Sequence, residues 1–362
     1  MNPSLKTTAL HAEHTELKAK MAAFAGYSMP MSYQSLKEEV LTVRKSAGVF
    51  DVSHMGLIRV SGEQALEFLD YLLPNWVSQL PDQKALYSPL CNHQGQVLDD
   101  LIVYRLSAQE LFICVNAANK ENDFQWMQEV LAAKKFQCQM EHFFADYSLL
   151  ALQGPESFAM INKIDAHLKI DDLDYYSFQK KEFMEKNCYF ARTGYTGEDG
   201  FEIFIPNSLA SNFWKKLVEL GARPCGLAAR DTLRIEVGFP LYGQEIHQDN
   251  TPLEAGLQWT VKWQKEDFIG KQALLEQEPS MKQIRLSLDK GIPRQGYAVY
   301  QNNEKIGVVT SGTFSPHLEK GIALAQIRKD INLDENNFSI ELRGKFIAAQ
   351  RHPKAFIQGG HK

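Results

Sequence analysis

The sequence GQVLDDLIVY, residues 95–104, places a turn glycine before an apolar strand that carries two adjacent carboxylates. Successive side chains of a strand point to opposite faces, so Asp100 shares a face with Tyr104, while Asp99 lies on the other face with Leu101. One aspartate must therefore point into the protein. A buried, unpaired carboxylate is costly or takes up a proton, so that aspartate needs a donor, a counter-ion or a ligand. An aspartate tied to backbone N–H groups at a strand start explains the pattern equally well.

The hairpin around Gly95 belongs to the first copy of a weak internal repeat. The first copy reads as strand, helix, hairpin, strand and helix, at residues 57–61, 65–73, around 95, 111–116 and 122–135. The second copy reads as strand, helix, hairpin and helix, at residues 149–153, 158–164, around 200 and 209–220. Helices on one face of a mainly antiparallel sheet in this order are typical of a ferredoxin-like unit. Two such units leave a cleft between them, which is a natural ligand site.

Further segments lie before and after the repeat. Residues 8–24 are predicted to form a first helix, and a capping box of Ser35 and Glu38 predicts a second. From about Gln283 the sequence changes to short alternating strands, which predicts a separate all-β unit, sandwich-like or barrel-like. The chain is therefore predicted to be an α+β protein. Its predicted domains are the N-terminal helices with the first unit, the second unit with the helix after it, and the β-domain, at residues 1–147, 148–275 and 283–362.

A second acid follows the corresponding hairpin of the second copy. The stretch RTGYTGEDGFEIF, residues 192–204, predicts a tight turn, because its glycines adopt positive φ at low cost. The strand after the turn places Glu202 on one face with Phe204. The alternative is that the turn has no ligand-binding role and that Glu202 faces solvent. In the next predicted helix, Asp231 and Arg234 are spaced for an ion pair, which leaves Arg230 as the freer cation.

The composition is that of an ordinary globular protein and narrows the function classes. A formal charge of -5 and a pI near 6.1 give no basic excess of the kind typical of nucleic-acid binding. No apolar run approaches the ~18 residues of a membrane span, and the first residues lack a secretory leader, so a cytoplasmic protein is predicted. Five cysteines without Cys-x-x-Cys spacing and ten histidines without a ligand cluster predict neither a disulfide nor a metal site.

Eight segments, in order along the chain, carry a resemblance to a known family. They are FAGYSMPMSY, FDVSHMG, GQVLDDLIVY, LALQGP, RTGYTGEDGFEI, GLAARDTLRIEVGFPLYG, PLEAGL and GVVTSGTFSP, from about Phe24 to Pro316. Together they resemble the aminomethyltransferase family, the T-proteins of the glycine cleavage system. The resemblance implies two ferredoxin-like units and a C-terminal β-domain in a three-lobed ring around a tetrahydrofolate pocket.

The resemblance also implies a reaction of glycine catabolism and one-carbon metabolism. A lipoylated H-protein brings an aminomethyl group on its arm, and the enzyme passes the methylene to tetrahydrofolate, its co-substrate. The products are 5,10-methylenetetrahydrofolate, ammonia and dihydrolipoyl H-protein. Glycine decarboxylase and dihydrolipoyl dehydrogenase are the implied functional associates. The resemblance brings in no metal, flavin, nucleic acid or membrane.

Site residues are implied in the same way. Asp100 is similar to the family aspartate beside the reacting folate nitrogen, and Glu202 to the carboxylate that accepts from the pterin edge. The remaining pocket positions implied by the resemblance are Arg230, Met55, Asn116 and Tyr195. One departure is that this chain has no tyrosine after Tyr300, whereas some members carry a functional tyrosine near the C-terminus.

Two alternative functions occur in the same fold family. One is a folate-dependent demethylase of a small methylated substrate, which needs no protein carrier. The other is a non-catalytic folate-binding accessory protein linked to tRNA modification, marked by a Lys-Gly-Cys-Tyr-x-Gly-Gln segment. This chain instead reads Arg-Thr-Gly-Tyr-Thr-Gly-Glu from Arg192, which disfavours the accessory protein. Flavin-linked relatives need a dinucleotide domain, and the chain has no Gly-x-Gly-x-x-Gly for one.

Overall fold

The computed structural model describes residues 5–143 and 145–360 of the 362-residue chain. Within these ranges the α-helices are α1 (His11–Glu16), α2 (Leu36–Lys45), α3 (Ala65–Leu72), α4 (Lys120–Lys134), α5 (Ser157–Ile164), α6 (Asn207–Glu219), α7 (Leu227–Val237) and α8 (Lys271–Glu276). Short 3₁₀ turns lie at Ala166–Leu168, Ile170–Asp172 and Gln258–Thr260. None of the helices described is long and apolar enough to cross a membrane.

The strands form a hairpin, two larger sheets and a closed barrel. In chain order they are β1 (Lys20–Phe24), β2 (Tyr27–Ser32), β3 (Gly48–Asp51), β4 (Gly56–Ser61), β5 (Lys84–Cys91), β6 (Val97–Ser107), β7 (Glu110–Val115), β8 (Gln139–His142), β9 (Tyr147–Gln153), β10 (Phe178–Phe183), β11 (Lys186–Ala191), β12 (Gly200–Pro206), β13 (Arg223–Pro224), β14 (Met281–Leu288), β15 (Ala298–Gln301), β16 (Glu304–Ser315), β17 (Lys320–Arg328), β18 (Phe338–Leu342) and β19 (Lys345–His352).

The first unit is an antiparallel sheet in the order β5-β6-β7-β4-β8. Along the chain, β4, α3, β6, β7, α4 and β8 follow the ferredoxin-like order, with β5 added at one edge. The two helices cover one face, where Phe68 and Met127 pack with Ile58 and Val103. Alternation along β6 therefore directs Asp100 to the face away from the helices.

The second unit repeats this arrangement in the sheet β10-β11-β12-β9-β3-β13. Its helices α5 and α6 cover one face, where Phe213 and Trp214 pack with Ile203 in a buried core. Strand β3 precedes the first unit in the chain, yet it lies between β9 and β13 and completes the second sheet. The domain limits 1–147, 148–275 and 283–362 stay a prediction. Strand β3 lies in the first of these ranges along the chain but in the sheet of the second unit in space.

The C-terminal strands close into a barrel in the order β14-β17-β16-β15-β18-β19. Closure is complete because β14 pairs with both β17 and β19. Buried side chains that include Leu286, Val299 and Ile340 fill the interior. The sequence predicted either a sandwich or a barrel, and the structure shows a barrel. Its closed sheet has no free edge.

The two ferredoxin-like units meet through the faces of their sheets that the helices do not cover. Tyr104 of β6 packs on Phe178 of β10 with ring centroids 4.8 Å apart. The Phe178 backbone N–H donates to the carbonyl of Gln83 at 2.7 Å, so the contact is fixed by the main chain as well. Tyr104, Phe178 and Phe204 belong to one buried core between the units.

Helix α7 joins the second unit to the barrel. The side chain of Arg234 is 1% exposed, and it donates to Glu245 at 2.8 Å and to Ser311 of β16 at 2.7 Å. Arg234 also pairs with Asp231 at 2.9 Å, so the predicted intrahelical ion pair is confirmed. This network ties α7, which carries Arg230 one turn before Arg234, to the loop after the helix and to the barrel.

The prediction of one helix over residues 8–24 is wrong. Helix α1 ends at Glu16, Lys18 takes a positive φ of 56°, and the chain continues as β1. Strand β1 pairs with β2 through a turn at Ala25, whose φ is also positive at 47°. Backbone bonding to a neighbouring strand therefore overrides the local helix propensity of this segment.

The predicted start of α2 is confirmed, with Ser35 as its N-cap and Glu38 as the partner. Ser35 Oγ accepts from the Glu38 backbone N–H at 3.2 Å and donates to the Glu38 carboxylate at 3.0 Å. At the other end of α2, Arg44 donates to Glu236 of α7 at 2.6 Å and to Glu198 at 2.8 Å. The N-terminal segment is thus tied to the helix and the loop that carry candidate site residues.

Candidate active site

Asp100 is held by donors from the two strands that flank β6. Tyr87 of β5 donates its hydroxyl to Oδ2 at 3.0 Å, and the side-chain amide of Asn116 donates to Oδ1 at 2.9 Å. Asn116 directly follows β7, which pairs with β6 on the side opposite to β5. Antiparallel pairing therefore delivers one donor from each side to a half-buried carboxylate.

The environment of Asp100 changes its acidity. Burial and the negative charge of Asp99 raise the pKa of Asp100 to about 7, although the hydrogen bonds from Tyr87 and Asn116 act in the opposite direction. A carboxyl group with this pKa is about half ionised at neutral pH. Carboxyls shifted in this way cluster at functional sites, because they can change charge at the working pH.

Asp99 points to the opposite face of β6, as the alternation predicts. Its side chain is fully buried and accepts from the backbone N–H of Asn116 at 3.0 Å and from the Asn116 side chain at 2.8 Å. Asn119 adds a third donor at 3.0 Å. Asp99 is thus satisfied by amide groups, while the same Asn116 amide also reaches Asp100.

The second predicted acid, Glu202, is buried between the units. Its residue is 6% exposed, so the alternative that places it in solvent is wrong. Oε2 accepts from Thr193 at 2.6 Å and from the Tyr104 hydroxyl at 3.3 Å. Oε1 lies 3.9 Å from Nη2 of Arg230, which is beyond hydrogen-bonding distance. One oxygen is therefore anchored by the protein and the other faces a cation.

Arg230 completes this half of the site. Its guanidinium carbon lies 4.8 Å from the ring centroid of Tyr195, a cation–π contact. Tyr195 stacks on Phe239 at 5.9 Å and donates its hydroxyl to the carbonyl of Pro240. Nη1 of Arg230 is buried and has no hydrogen-bond partner among the residues described. An orphaned buried donor is costly, which indicates a ligand or water at this position.

One core connects the two halves. Tyr104 lies on the same face of β6 as Asp100 and reaches Glu202, and Tyr195 lies close enough to Asp100 for the aspartate charge to act on its phenol. Met55 packs against this core and lines a cavity of about 10 Å³ with Cys114 and Phe204. The structure therefore brings all six predicted site residues into the region between the units.

Sequence reasoning missed several residues of this region. Tyr104 has no predicted role, although strand alternation alone places it on the same face of β6 as Asp100. Tyr87, Thr193 and Asn119 reach the acids only through strand pairing or the turn after a strand, which the sequence did not show. Over residues 5–143 and 145–360, no group of His, Cys, Asp and Glu side chains is arranged to hold a metal ion.

Comparison with known proteins covers both parts of the chain. The family model named GCVT N-terminal domain matches residues 10–265, and the model named Glycine cleavage T-protein C-terminal barrel domain matches residues 282–358. An aminomethyltransferase of Thermosipho melanesiensis is 40% identical, with 99% of each chain covered. Those of Thermotoga maritima and Desulfitobacterium hafniense strain Y51 are 41% and 42% identical, with 98% of each chain covered.

A solved structure gives the same result. The crystal structure of glycine cleavage system aminomethyltransferase T from Bartonella henselae superposes with a TM-score of 0.92 at 36% identity, with 99% of each chain covered. Sequence and fold agree along nearly the whole length, and the ferredoxin-like units and the barrel are shared. The chain therefore belongs to the glycine cleavage T-protein family, the aminomethyltransferases.

Proposed function

We propose that this protein transfers the methylene of the aminomethyl-dihydrolipoyl arm of an H-protein to tetrahydrofolate. The products are 5,10-methylenetetrahydrofolate, ammonia and dihydrolipoyl H-protein. The observation that carries the proposal is Asp100, a half-buried carboxylate held by Tyr87 and Asn116 in the same region as Glu202 and Arg230. Membership of the aminomethyltransferase family supports the same reaction.

The polar groups around Glu202 fit the edge of a pterin ring. Such an edge presents adjacent N–H donors and a carbonyl acceptor. Oε1 of Glu202 is an acceptor, and the guanidinium of Arg230, whose Nη2 lies 3.9 Å from Oε1 and whose Nη1 is orphaned, is a charged donor group. Charge-assisted bonds of this kind are the stronger hydrogen bonds in proteins. We therefore assign Glu202 and Arg230 to pterin recognition, and Tyr195, Met55 and Asn116 to the surrounding pocket.

Tetrahydrofolate, when bound, supplies the nucleophilic nitrogens that take up the one-carbon unit. The ionised carboxylate of Asp100 stabilises the positive charge that develops at the reacting carbon as ammonia leaves. Tyr87 and Asn116 fix its two oxygens, so no reorientation is needed when the charge appears. The buried core between the units lowers the local polarity, and electrostatic stabilisation is stronger there than in solution. No side chain needs to form a covalent bond with the substrate.

The proposal includes an obligatory protein partner. T-proteins act with H-protein in the glycine cleavage system, and we extend this to a lipoylated H-protein for the present chain, with glycine decarboxylase and dihydrolipoyl dehydrogenase as functional associates. We expect these proteins to meet in the cytoplasm. The formal charge of -5 gives no reason to add a nucleic-acid partner.

The test is a reconstituted assay that follows ammonia. It contains lipoylated H-protein, glycine, the decarboxylase and tetrahydrofolate, with the present protein added last. Ammonia release that requires both folate and this protein supports the proposal. Folate-dependent turnover of a small methylated amine without H-protein would instead identify a demethylase. Folate binding without any turnover would identify a non-catalytic accessory protein.

A further inference from the structure

A third carboxyl group lies behind the aspartate pair and has no part in the proposed reaction. Asp123 belongs to the first turn of α4, and its residue is 2% exposed. Its backbone N–H makes the first helical bond, to the carbonyl of Asn119 at 2.9 Å. Asn119 also donates to Asp99, so the start of α4 and the Asp99 face of β6 are in direct contact.

The hydrogen bonds around Asp99 and Asp123 are unequal. Asp99 accepts from three amide donors, at 2.8 to 3.0 Å. Oδ2 of Asp123 is buried without a hydrogen-bond donor among the residues described, and Asp123 lies within side-chain hydrogen-bonding range of Asp99. Two ionised carboxylates are both acceptors and cannot bond to each other. One of the two must carry a proton.

The amide donors decide which acid carries that proton. Burial raises the pKa of Asp99, but the amide donors act against this rise, whereas burial and the charge of Asp99 raise the pKa of Asp123 far above its usual range. The helix N-terminus favours an ionised Asp123, but this effect is modest. The cost of a second buried charge beside Asp99 is several times larger.

We propose that Asp123 is a positioning residue that keeps its proton at neutral pH and donates it in a hydrogen bond to Asp99. The amide of Asn116 has two N–H bonds, and they reach Asp99 at 2.8 Å and Asp100 at 2.9 Å. A chain of bonds thus runs from Asp123 through Asp99 and Asn116 to Asp100. The proton of Asp123 fixes the far end of this chain without adding a second negative charge near Asp100.

Other titratable groups near the cluster do not replace Asp123 in this role. Burial and the nearby acids raise the pKa of Tyr242 to about 12, and the pKa of Tyr87 is also raised well above its usual value, so both phenols stay neutral. On α4, Lys120 donates to the Tyr27 hydroxyl at 2.9 Å. Glu121 lies 3.9 Å from His142 and is mainly exposed. This inference rests on the proposed function only for the catalytic role of Asp100, since the protonation state of Asp123 can be measured without any activity.

Infrared spectroscopy of the full-length protein tests the protonation state directly. Above pH 8, we expect the wild-type spectrum to contain the C=O stretching band of a protonated carboxyl group. The spectrum of Asp123→Asn should lack this band. The matched control, Glu121→Gln on the same helix, should keep the band. A wild-type spectrum without this band would overturn the inference, whatever the outcome of the activity assay.

Kinetics test the positioning role. Asp123→Asn replaces the O–H donor of Asp123 with an N–H donor, so turnover should stay within about 2-fold and the acid limb of the kcat/KM profile should not move. Asp123→Ala removes the donor and should lower kcat about 10-fold, the equivalent of one lost hydrogen bond, with KM for folate unchanged. A shift of the acid limb to lower pH in Asp123→Asn would show that Asp123 is ionised and refute the inference. If Asp123→Ala does not fold, the asparagine variant and the infrared band still decide.

Discussion

Replacing Asp100 by asparagine preserves the shape of the side chain and removes its charge. At about 4 Å and an effective dielectric constant of about 20, one unit charge stabilises another by about 4 kcal/mol. Incomplete ionisation of Asp100 at pH 7 reduces the rate by a factor of only about 2. Loss of one preorganised group typically costs ~2.7–4 kcal/mol, so we expect kcat to fall by about 10²–10³. Folate affinity should change little, because the interaction develops mainly in the transition state.

The matched variant is Asp99→Asn on the opposite face of the same strand. Asp99 accepts from three amide donors, and an asparagine in its place turns an N–H₂ group toward at least one of them. We expect it to lose ~2–4 kcal/mol of unfolding free energy, with a smaller effect on turnover. Asp100→Asn should not be destabilised at pH 8, because the raised pKa of Asp100 shows that its ionised form is disfavoured in the folded protein.

The assay measures ammonia release at saturating H-protein and folate, together with folate binding and urea unfolding. All three measurements use the two variants and the wild type at the same pH. If Asp99→Asn abolishes turnover while Asp100→Asn is nearly wild type, the roles of the two faces are reversed and the mechanism is refuted.

Three further predictions follow from the same site. Glu202→Ala should weaken tetrahydrofolate binding by ~1.5–3 kcal/mol in titration calorimetry, and an unchanged Kd in a folded variant contradicts pterin recognition by Glu202. Because Asp100 has a pKa of about 7 and acts when ionised, kcat/KM should fall about 10-fold per pH unit below 7, and Asp100→Asn should lack this limb. Trp259 is 58% exposed and stacks on Tyr87, a donor to Asp100, with ring centroids 5.9 Å apart, so we expect Trp259→Ala to raise KM for H-protein. Phe346→Ala on the barrel is the control at an exposed residue, and equal KM values for the two variants exclude a role of Trp259 in docking.

Sequence patterns predicted those features that depend on residues close together in the chain. Strand alternation separated Asp99 from Asp100, because the period of two holds wherever a strand forms. The capping box at Ser35 was predictable for the same reason, since both partners lie within one helical turn. Alternation likewise placed Glu202 on the face of Phe204, although it left open whether that face was buried.

The rest depended on contacts between distant segments. Residues 20–24 form a strand only because β2 bonds to them, so helix propensity was misleading there. The insertion of β3 into the second sheet joins segments about 100 residues apart, and no local signal encodes such a pairing. Asp123 reads as an ordinary acid near a helix N-terminus, and its burial against Asp99 appears only once α4 packs on the sheet.

The most direct test of the central claim is a single turnover with H-protein that carries an aminomethyl group labelled with ¹³C. Nuclear magnetic resonance would follow the labelled carbon, and a parallel sample would measure ammonia. The account predicts that the label appears in 5,10-methylenetetrahydrofolate with one ammonia per transfer, only when both folate and the wild-type protein are present. Label that stays on H-protein in the presence of folate and folded wild-type protein would contradict it.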